Sequence, residues 1–288
     1  MKIALCNEVI REMEFAAQCN YAATLGYDGL ELAPFTLDEN PHLLTSSARA
    51  HLRQCAADAG IEITGLHWLL VTPPGLSINS RDSSVQQRTV DVIRGLIDLC
   101  ADLGGGVLVH GSPTQRNVSS DDKPSDAWLR ARDCFAAASK QAESAKVLYC
   151  IEPLSPGDTN FINTVAEAVR MIDAIGSPAL RTMIDSRAAS QAESVPVAEV
   201  IERWLPTGKV CHIHVNDPNR RGPGQGSVEF TPIFSALVRQ RYSGVVSIEP
   251  FDYYPDGPAS ASRAIGYIRG ILEGLKSKTD ESLADYAL

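Results

Sequence analysis

An α/β fold, a single (β/α)8 barrel, is predicted by three features of this sequence. Eight apolar runs of strand length recur along the chain. Amphipathic stretches of helical period fill the gaps between them. Several helical stretches end in glycine just before the next run. Near-continuous apolar runs suit parallel strands covered on both faces by helices. Eight such units in about 275 residues fit a closed barrel. A doubly wound open sheet is the competing arrangement. It would place a glycine-rich phosphate loop after its first strand. Here Cys6-Asn7-Glu8-Val9 follows instead, and Gly104-Gly105-Gly106 precedes a strand.

The strand-like runs are Lys2–Cys6, 29–33, 62–70, Val107–His110, 147–152, Leu180–Asp185, Val210–Val215 and 245–249. Helical periodicity covers 13–25, 48–59, 85–103, 128–142, Val165–Ile175, Val197–Trp204, 232–239 and 259–275. Gly26, Gly60, Gly104 and Gly176 sit where a left-handed residue stops a helix. Thr164 with Glu167 three residues on reads as a capping box. One domain therefore spans 1–275, and 276–288 reads as a polar tail.

Composition narrows the partners. Lys and Arg number 26 against 35 Asp and Glu, a net charge of −9, which repels nucleic-acid phosphates. Apolar residues make up 44% and no apolar run is long enough to cross a membrane. The N-terminus, MKIALCNEVIREMEF, turns acidic too early for a secretory signal. Cys6, Cys19, Cys55, Cys100, Cys134, Cys150 and Cys211 form no CxxC pair and read as reduced thiols serving as small apolar side chains. A cytoplasmic protein is expected.

Four runs end on a side chain that can bind metal: Glu152 in CIEPL, Asp185 in MIDSR, His214 in HIHVND and Glu249 in SIEPF. The gaps are 33, 29 and 35 residues, each close to one barrel unit. The four groups are thus expected on strands 5 to 8 at the C-terminal rim. A lone glutamate at a strand end is usually a cap or salt-bridge residue. Four such groups converging in one dry pocket would repel strongly, and a divalent cation removes the conflict. One imidazole with three carboxylates suits Mn²⁺, Mg²⁺ or Co²⁺ better than a thiolate-preferring metal, with Zn²⁺ also admitted. His212 and His214 point to the same side of one strand. His214 is expected at the rim and His212 in an inner layer.

Together with the stretch NDPNRRGPGQG, a helix and then SIEPF, these residues resemble the xylose-isomerase-like TIM-barrel superfamily. The branch is the sugar phosphate isomerase/epimerase one, similar to D-tagatose and D-psicose 3-epimerases, and the resemblance spans about residues 2 to 275. It implies that Glu152, Asp185, His214 and Glu249 bind one divalent ion, Mn²⁺ first. Glu152 and Glu249 would also exchange protons with a small-molecule sugar. Arg220, six residues after the histidine, would hold a substrate oxygen or phosphate. A homodimer or homotetramer is implied, with no nucleic-acid or membrane partner. Two positions depart from the family pattern. Asp158 stands where the 3-epimerases carry a glutamate, and Ala188 where they carry a histidine. The identity of the sugar is therefore open.

Other rim residues are candidates to compensate. His67 and Trp68 end strand 3, and His110 and Ser112 end strand 4, followed by Gln115 and Arg116. His67, His110, Asp158 and Trp68 are taken as substrate contacts, with Phe251 able to stack on a sugar face. Glu31 is taken as structural, and Asn7 follows strand 1. The expected chemistry is chelation of a carbonyl and its neighbouring hydroxyl. One glutamate then removes the proton beside the carbonyl, giving a cis-enediolate. The other returns it to the opposite face or the adjacent carbon. A lyase, dehydratase or deglycosidase acting on a keto-sugar would use the same ion and stays open. An endonuclease IV-like phosphodiesterase needs more histidines than the six here (His42, His51, His67, His110, His212, His214). A sugar-binding subunit without catalysis would not need both glutamates.

Overall fold

Parallel strands pair in chain order and the eighth returns to the first, closing a barrel. The computed structural model describes the backbone of residues 1–284 and side chains up to residue 276. The strands are β1 (Lys2–Cys6), β2 (Gly29–Leu32), β3 (Glu62–His67), β4 (Val107–His110), β5 (Leu148–Ile151), β6 (Leu180–Asp185), β7 (Val210–Val215) and β8 (Val245–Ile248). The helices are α1 (Phe15–Leu25), α2 (Ser46–Asp58), α3 (Ser83–Leu103), α4 (Pro124–Ala145), α5 (Val165–Ile175), α6 (Ser186–Ala192), α7 (Val197–Trp204), α8 (Phe230–Arg239) and α9 (Gly257–Ala284). No described helix is long and apolar enough to cross a membrane.

Alternation along each strand divides the core in two. Leu108, Tyr149, Ile151 and Ile184 face the helices and join the main hydrophobic cluster. Their neighbours Val107, Val109, Cys150 and Met183 form a separate, smaller cluster inside the barrel. That apolar plug comes from β4, β5 and β6. Four of the other staves contribute buried polar groups instead: Glu31 from β2, His67 from β3, His212 and His214 from β7, Ser247 from β8. The interior is thus polarised before any ligand is considered.

Local chemistry explains the boundaries. Gly26, Gly60, Gly104 and Gly176 all have φ between 71° and 85°, and Thr164 and Glu167 form the capping box. The run at 62–70 ends as a strand at His67, because Trp68 has φ 52° and cannot extend a strand. Glu152 and Glu249 lie one residue beyond their strands. Their amides still donate to His110 O and Val215 O (both 3.3 Å), so each carboxylate keeps the inward pleat direction. Helix α6 had no periodic apolar signal in SRAASQA. It forms because the Asp185 side chain accepts from the Ala188 amide at 2.6 Å and caps it. The tail expected at 276–288 has helical backbone to Ala284. Residues 285–288 lie outside the described residues.

Close approach of β3 and β4 depends on one missing side chain. A Cβ on Gly65 would lie 2.3 Å from Val107 O, a backbone atom. Gly65→Ala should lower stability by about 1–3 kcal/mol through overpacking. Urea midpoints compare the two proteins, and an unchanged midpoint would contradict this reading of the contact.

Candidate metal centre and substrate cleft

The ends of four successive strands meet at the C-terminal rim. One ligand atom each from Glu152, Asp185, His214 and Glu249 lies within 4.8 Å of the others, and all four residues are buried. His214 Nδ1 is 3.0 Å from Glu249 Oε2 and 4.0 Å from Glu152 Oε1. Asp185 Oδ1 is committed to the Ala188 amide, while Oδ2 is buried with no hydrogen-bond partner among the described residues. An orphaned carboxylate oxygen beside two more carboxylates is costly unless a cation takes it. The oxygen-rich set with one imidazole fits a hard or borderline divalent ion.

The acids respond to this crowding. Burial, then the charge of Glu249, pushes the Glu152 carboxyl up to about 8. The same two causes push Asp185 up to about 6. Burial would also raise Glu249, but His214 and His67 outweigh it and hold it down to about 2.

Buried pairs fix the ligands from behind. His67 places Nδ1 2.9 Å from Glu249 Oε1 and Nε2 3.0 Å from Glu8 Oε2. His214 Nε2 lies 3.3 Å from both oxygens of Glu31. Glu31 also meets His212 Nε2 at 2.8 Å and accepts from the Ser247 hydroxyl. Burial alone would raise the Glu31 carboxyl, yet His212 and His214 hold it well below the usual range. Carboxylates behind ligating histidines orient the ring and raise its basicity. Arg116, fully buried, donates to Glu152 O at 2.6 Å and His110 O at 2.5 Å, clamping the ends of β4 and β5. Asn216 donates to Glu249 O at 2.9 Å and ties β7 to β8.

The rim opens into a partly enclosed cleft. Its walls include Trp68, Gly111, Leu154, Asp158, Arg187, Arg220 and Phe251, and its floor includes Glu152 and Glu249. Trp68 meets Phe35 and Phe251 edge-on at 5.4 and 5.7 Å. The Arg220 guanidinium lies 5.4 Å from the Phe251 ring centre. Trp68 and Arg220 have φ of 52° and 70°. Left-handed backbone at two bulky cleft residues is strain of the kind found at functional sites. A Cβ on Gly111 would lie 1.8 Å from Glu152 Oε2, so the carboxylate needs glycine there.

The structure places the sequence-derived candidates unequally. It brings Glu152, Asp185, His214 and Glu249 together, and Trp68, Asp158, Arg220 and Phe251 onto the cleft. Two expected substrate contacts are corrected. His67 is fully buried behind Glu249 with both ring nitrogens occupied. His110 faces outward, bonded to the Tyr149 hydroxyl at 2.7 Å and edge-on to Phe135 of α4. Burial, then Arg116, keeps that ring neutral. His212 sits in the inner layer on Glu31. Asn7 is structural, with Nδ2 bonded to Gln18 and Thr36 and Oδ1 accepting from the Ala33 amide. Sequence reasoning missed Glu8, which sits in a short turn, NEVI, with no pattern of its own. It also missed Arg187, two residues after Asp185. The run of consecutive polar residues after β6 was its only signal.

Residues 19–271 match the family model described as a xylose isomerase-like TIM barrel. The chain belongs to that family. The xylose isomerase-like chain is 24% identical over 249 residues to a probable ketose 3-epimerase of Synechocystis sp., covering 83% of this chain and 79% of that one. It is 26% identical over 248 residues to a D-psicose 3-epimerase of Ruminiclostridium cellulolyticum, covering 83% and 80%. Among solved structures, a D-psicose 3-epimerase in the presence of D-fructose superposes with a TM-score of 0.81 at 20% identity, covering 94% and 99%. That likeness confirms the xylose isomerase-like fold.

Crowded acids make stability depend on pH and on cations. A carboxyl with a raised folded-state pKa holds its proton more tightly folded than unfolded. Stability then falls as pH climbs from the ordinary value to the raised one. The window is 4.5 to about 8 for Glu152 and 3.8 to about 6 for Asp185. His67 and His214, raised well above 6.5 despite burial by Glu8, Glu249 and Glu31, act in the same direction above that value. Thermal melts with chelator should show stability falling from pH 5 to pH 8. Added Mn²⁺ or Mg²⁺ should raise the melting temperature more at pH 8 than at pH 5, because its ligands must be ionised. A melting temperature that rises with pH in chelator would contradict this.

Proposed function

We propose that this chain is a divalent-metal-dependent sugar epimerase that inverts the carbon beside a ketose carbonyl, with Mn²⁺ as its ion. One observation carries the proposal. Of the four clustered groups, Glu152 and Glu249 line the cleft while Asp185 and His214 do not. Two carboxylates thus face a substrate, and two groups serve only to hold the ion. The names of the related 3-epimerases support this reading.

When bound, the ion supplies Lewis-acid polarisation of the substrate carbonyl. The chain's own residues do the rest. Glu249 Oε1 and Oε2 are held by His67 and His214, which keep the carboxylate ionised and fix its plane. It takes the proton from the carbon beside the carbonyl. Glu152, carried on the far side of the cluster by β5, returns a proton to the opposite face. Running in reverse, the two exchange roles. Trp68 and Phe251 cover one side of the cleft and exclude water, and Arg220 and Asp158 position sugar oxygens. Glu8 and Glu31 are positioning residues that act through His67 and His214. We also assign the protein to the cytoplasm, on its seven free cysteines. The exposed Val238 and Tyr267 on α8 and α9 support association as a homodimer or homotetramer.

Proton exchange tests the reading. With Mn²⁺ in D2O, wild-type protein should place deuterium on the carbon beside the carbonyl of a ketose or ketose phosphate, and form its epimer. Glu152→Gln and Glu249→Gln should each slow exchange by about 10²–10⁴-fold. NMR follows both. Absence of exchange in wild type across such a panel, or undiminished exchange in both variants, would overturn it.

A further inference from the structure

Two thiols meet inside the barrel below the metal centre, and a slip in the strand ladder brings them together. Cys150 Sγ and Cys211 Sγ lie 2.9 Å apart, although β6 runs between their staves. On β7, His212 and His214 reach Glu31 inside the barrel, so strict alternation would turn Cys211 outward to the helices. The ladder to β6 skips it: Thr182 pairs with Val210, and Met183 with His212. Cys211 is thus the extra residue of a β-bulge, a device that re-aims a side chain. It packs on the inner cluster of Val107, Val109, Cys150 and Met183. The carbonyl at the bulge accepts from the Tyr242 hydroxyl at 3.1 Å. Cys211 is half-buried and second in β7, at the end of the barrel away from the cleft. Cys150 is fully buried.

We infer that Cys150 and Cys211 form a site of reversible oxidation, closed to a disulfide by a hydroperoxide, and that the bond loosens the metal centre above it. The second half rests on the metal-dependent reading of that centre. Cys211, which solvent reaches, attacks the peroxide. An S–O bond forms, the O–O bond breaks, and the leaving oxygen departs with the thiol proton as water or an alcohol. Cys150 then attacks the Cys211 sulfur. The S–S bond forms, the S–O bond breaks, and hydroxide leaves with the Cys150 proton as water. The two thiols lose two electrons in all, and the peroxide gains them. The sulfurs need to close by only about 0.9 Å to reach a bond of about 2.0 Å. A thiol serving only as an apolar filler needs no bulge to set it against a second thiol. A resting dithiol that oxidises transiently also agrees with cysteines that are all free. Glu152 follows Cys150 by two residues, His214 follows Cys211 by three, and β6 between them carries Asp185. The bond therefore draws together the staves of three ligands, and such sites tolerate small displacements poorly.

Treating the full chain with equimolar hydrogen peroxide tests this. Thiol titration after denaturation should fall from seven to five, the seven less the bonded pair. Mass spectrometry should find tryptic peptides 147–170 and 210–220 joined, and dithiothreitol should restore seven thiols. Mn²⁺ titration by calorimetry should show the oxidised chain binding at least about threefold more weakly than the reduced one. Cys211→Ser should leave the peptides separate and Mn²⁺ binding unmoved by peroxide. Cys150→Ala should stop the sequence at a sulfenic acid that dimedone traps on Cys211. It reads the same point if Cys211→Ser does not fold. Seven thiols persisting after peroxide overturn the inference, as does a bond formed by other cysteines instead. A joined pair with unchanged Mn²⁺ affinity overturns the coupling to the metal centre. A reduced chain that binds no Mn²⁺ sinks the metal reading and leaves the oxidation site to be judged on its peptides.

Discussion

Repulsion among three buried carboxylates is the constraint around which this barrel is arranged. Glu152, Asp185 and Glu249 converge on His214 where water is scarce. Like charges at such separations interact far more strongly than at a surface. The surroundings divide the load unevenly. Glu249 receives two imidazoles and stays ionised, whereas Glu152 and Asp185 are driven toward their neutral forms. A divalent cation would let all three ionise together. The cluster is therefore a site that folding leaves electrostatically incomplete, and the orphaned Asp185 oxygen marks the gap.

The polarised interior follows from the same constraint. Staves β4 to β6 fill their inner faces with Val107, Val109, Cys150 and Met183. Staves β2, β3, β7 and β8 supply Glu31, His67, His212, His214 and Ser247. A connected chain of hydrogen bonds runs from Glu8 through His67, Glu249 and His214 to Glu31 and His212. Such a network is favourable only when its members are satisfied. Arg116 and Asn216 add main-chain ties at the mouths of β5 and β8. Two residues in left-handed backbone, Trp68 and Arg220, then face the cleft. Main-chain bonds from Phe251 and Asp252 to Arg220 O (2.7 and 2.8 Å) hold the second in place.

Much of this was legible from residue order. Strand runs carry the repeat of the barrel, and the spacing of Glu152, Asp185, His214 and Glu249 follows it, so the rim cluster could be named without coordinates. What stayed hidden has physical reasons. Depth in a barrel depends on register and on which face of a strand looks inward. His67 and His110 both end apolar runs, yet one lies behind a glutamate and the other outside the barrel against α4. Helix α6 rests on one side-chain cap rather than on periodicity. Glu8 and Arg187 acquire meaning only through partners 59 and 29 residues away in sequence.

Anomalous diffraction from crystals grown with Mn²⁺ is the most direct check. The account places a single strong peak per chain, with oxygens of Glu152, Asp185 and Glu249 and Nδ1 of His214 around it. A peak at another location, or one that leaves Asp185 Oδ2 unengaged, would contradict it.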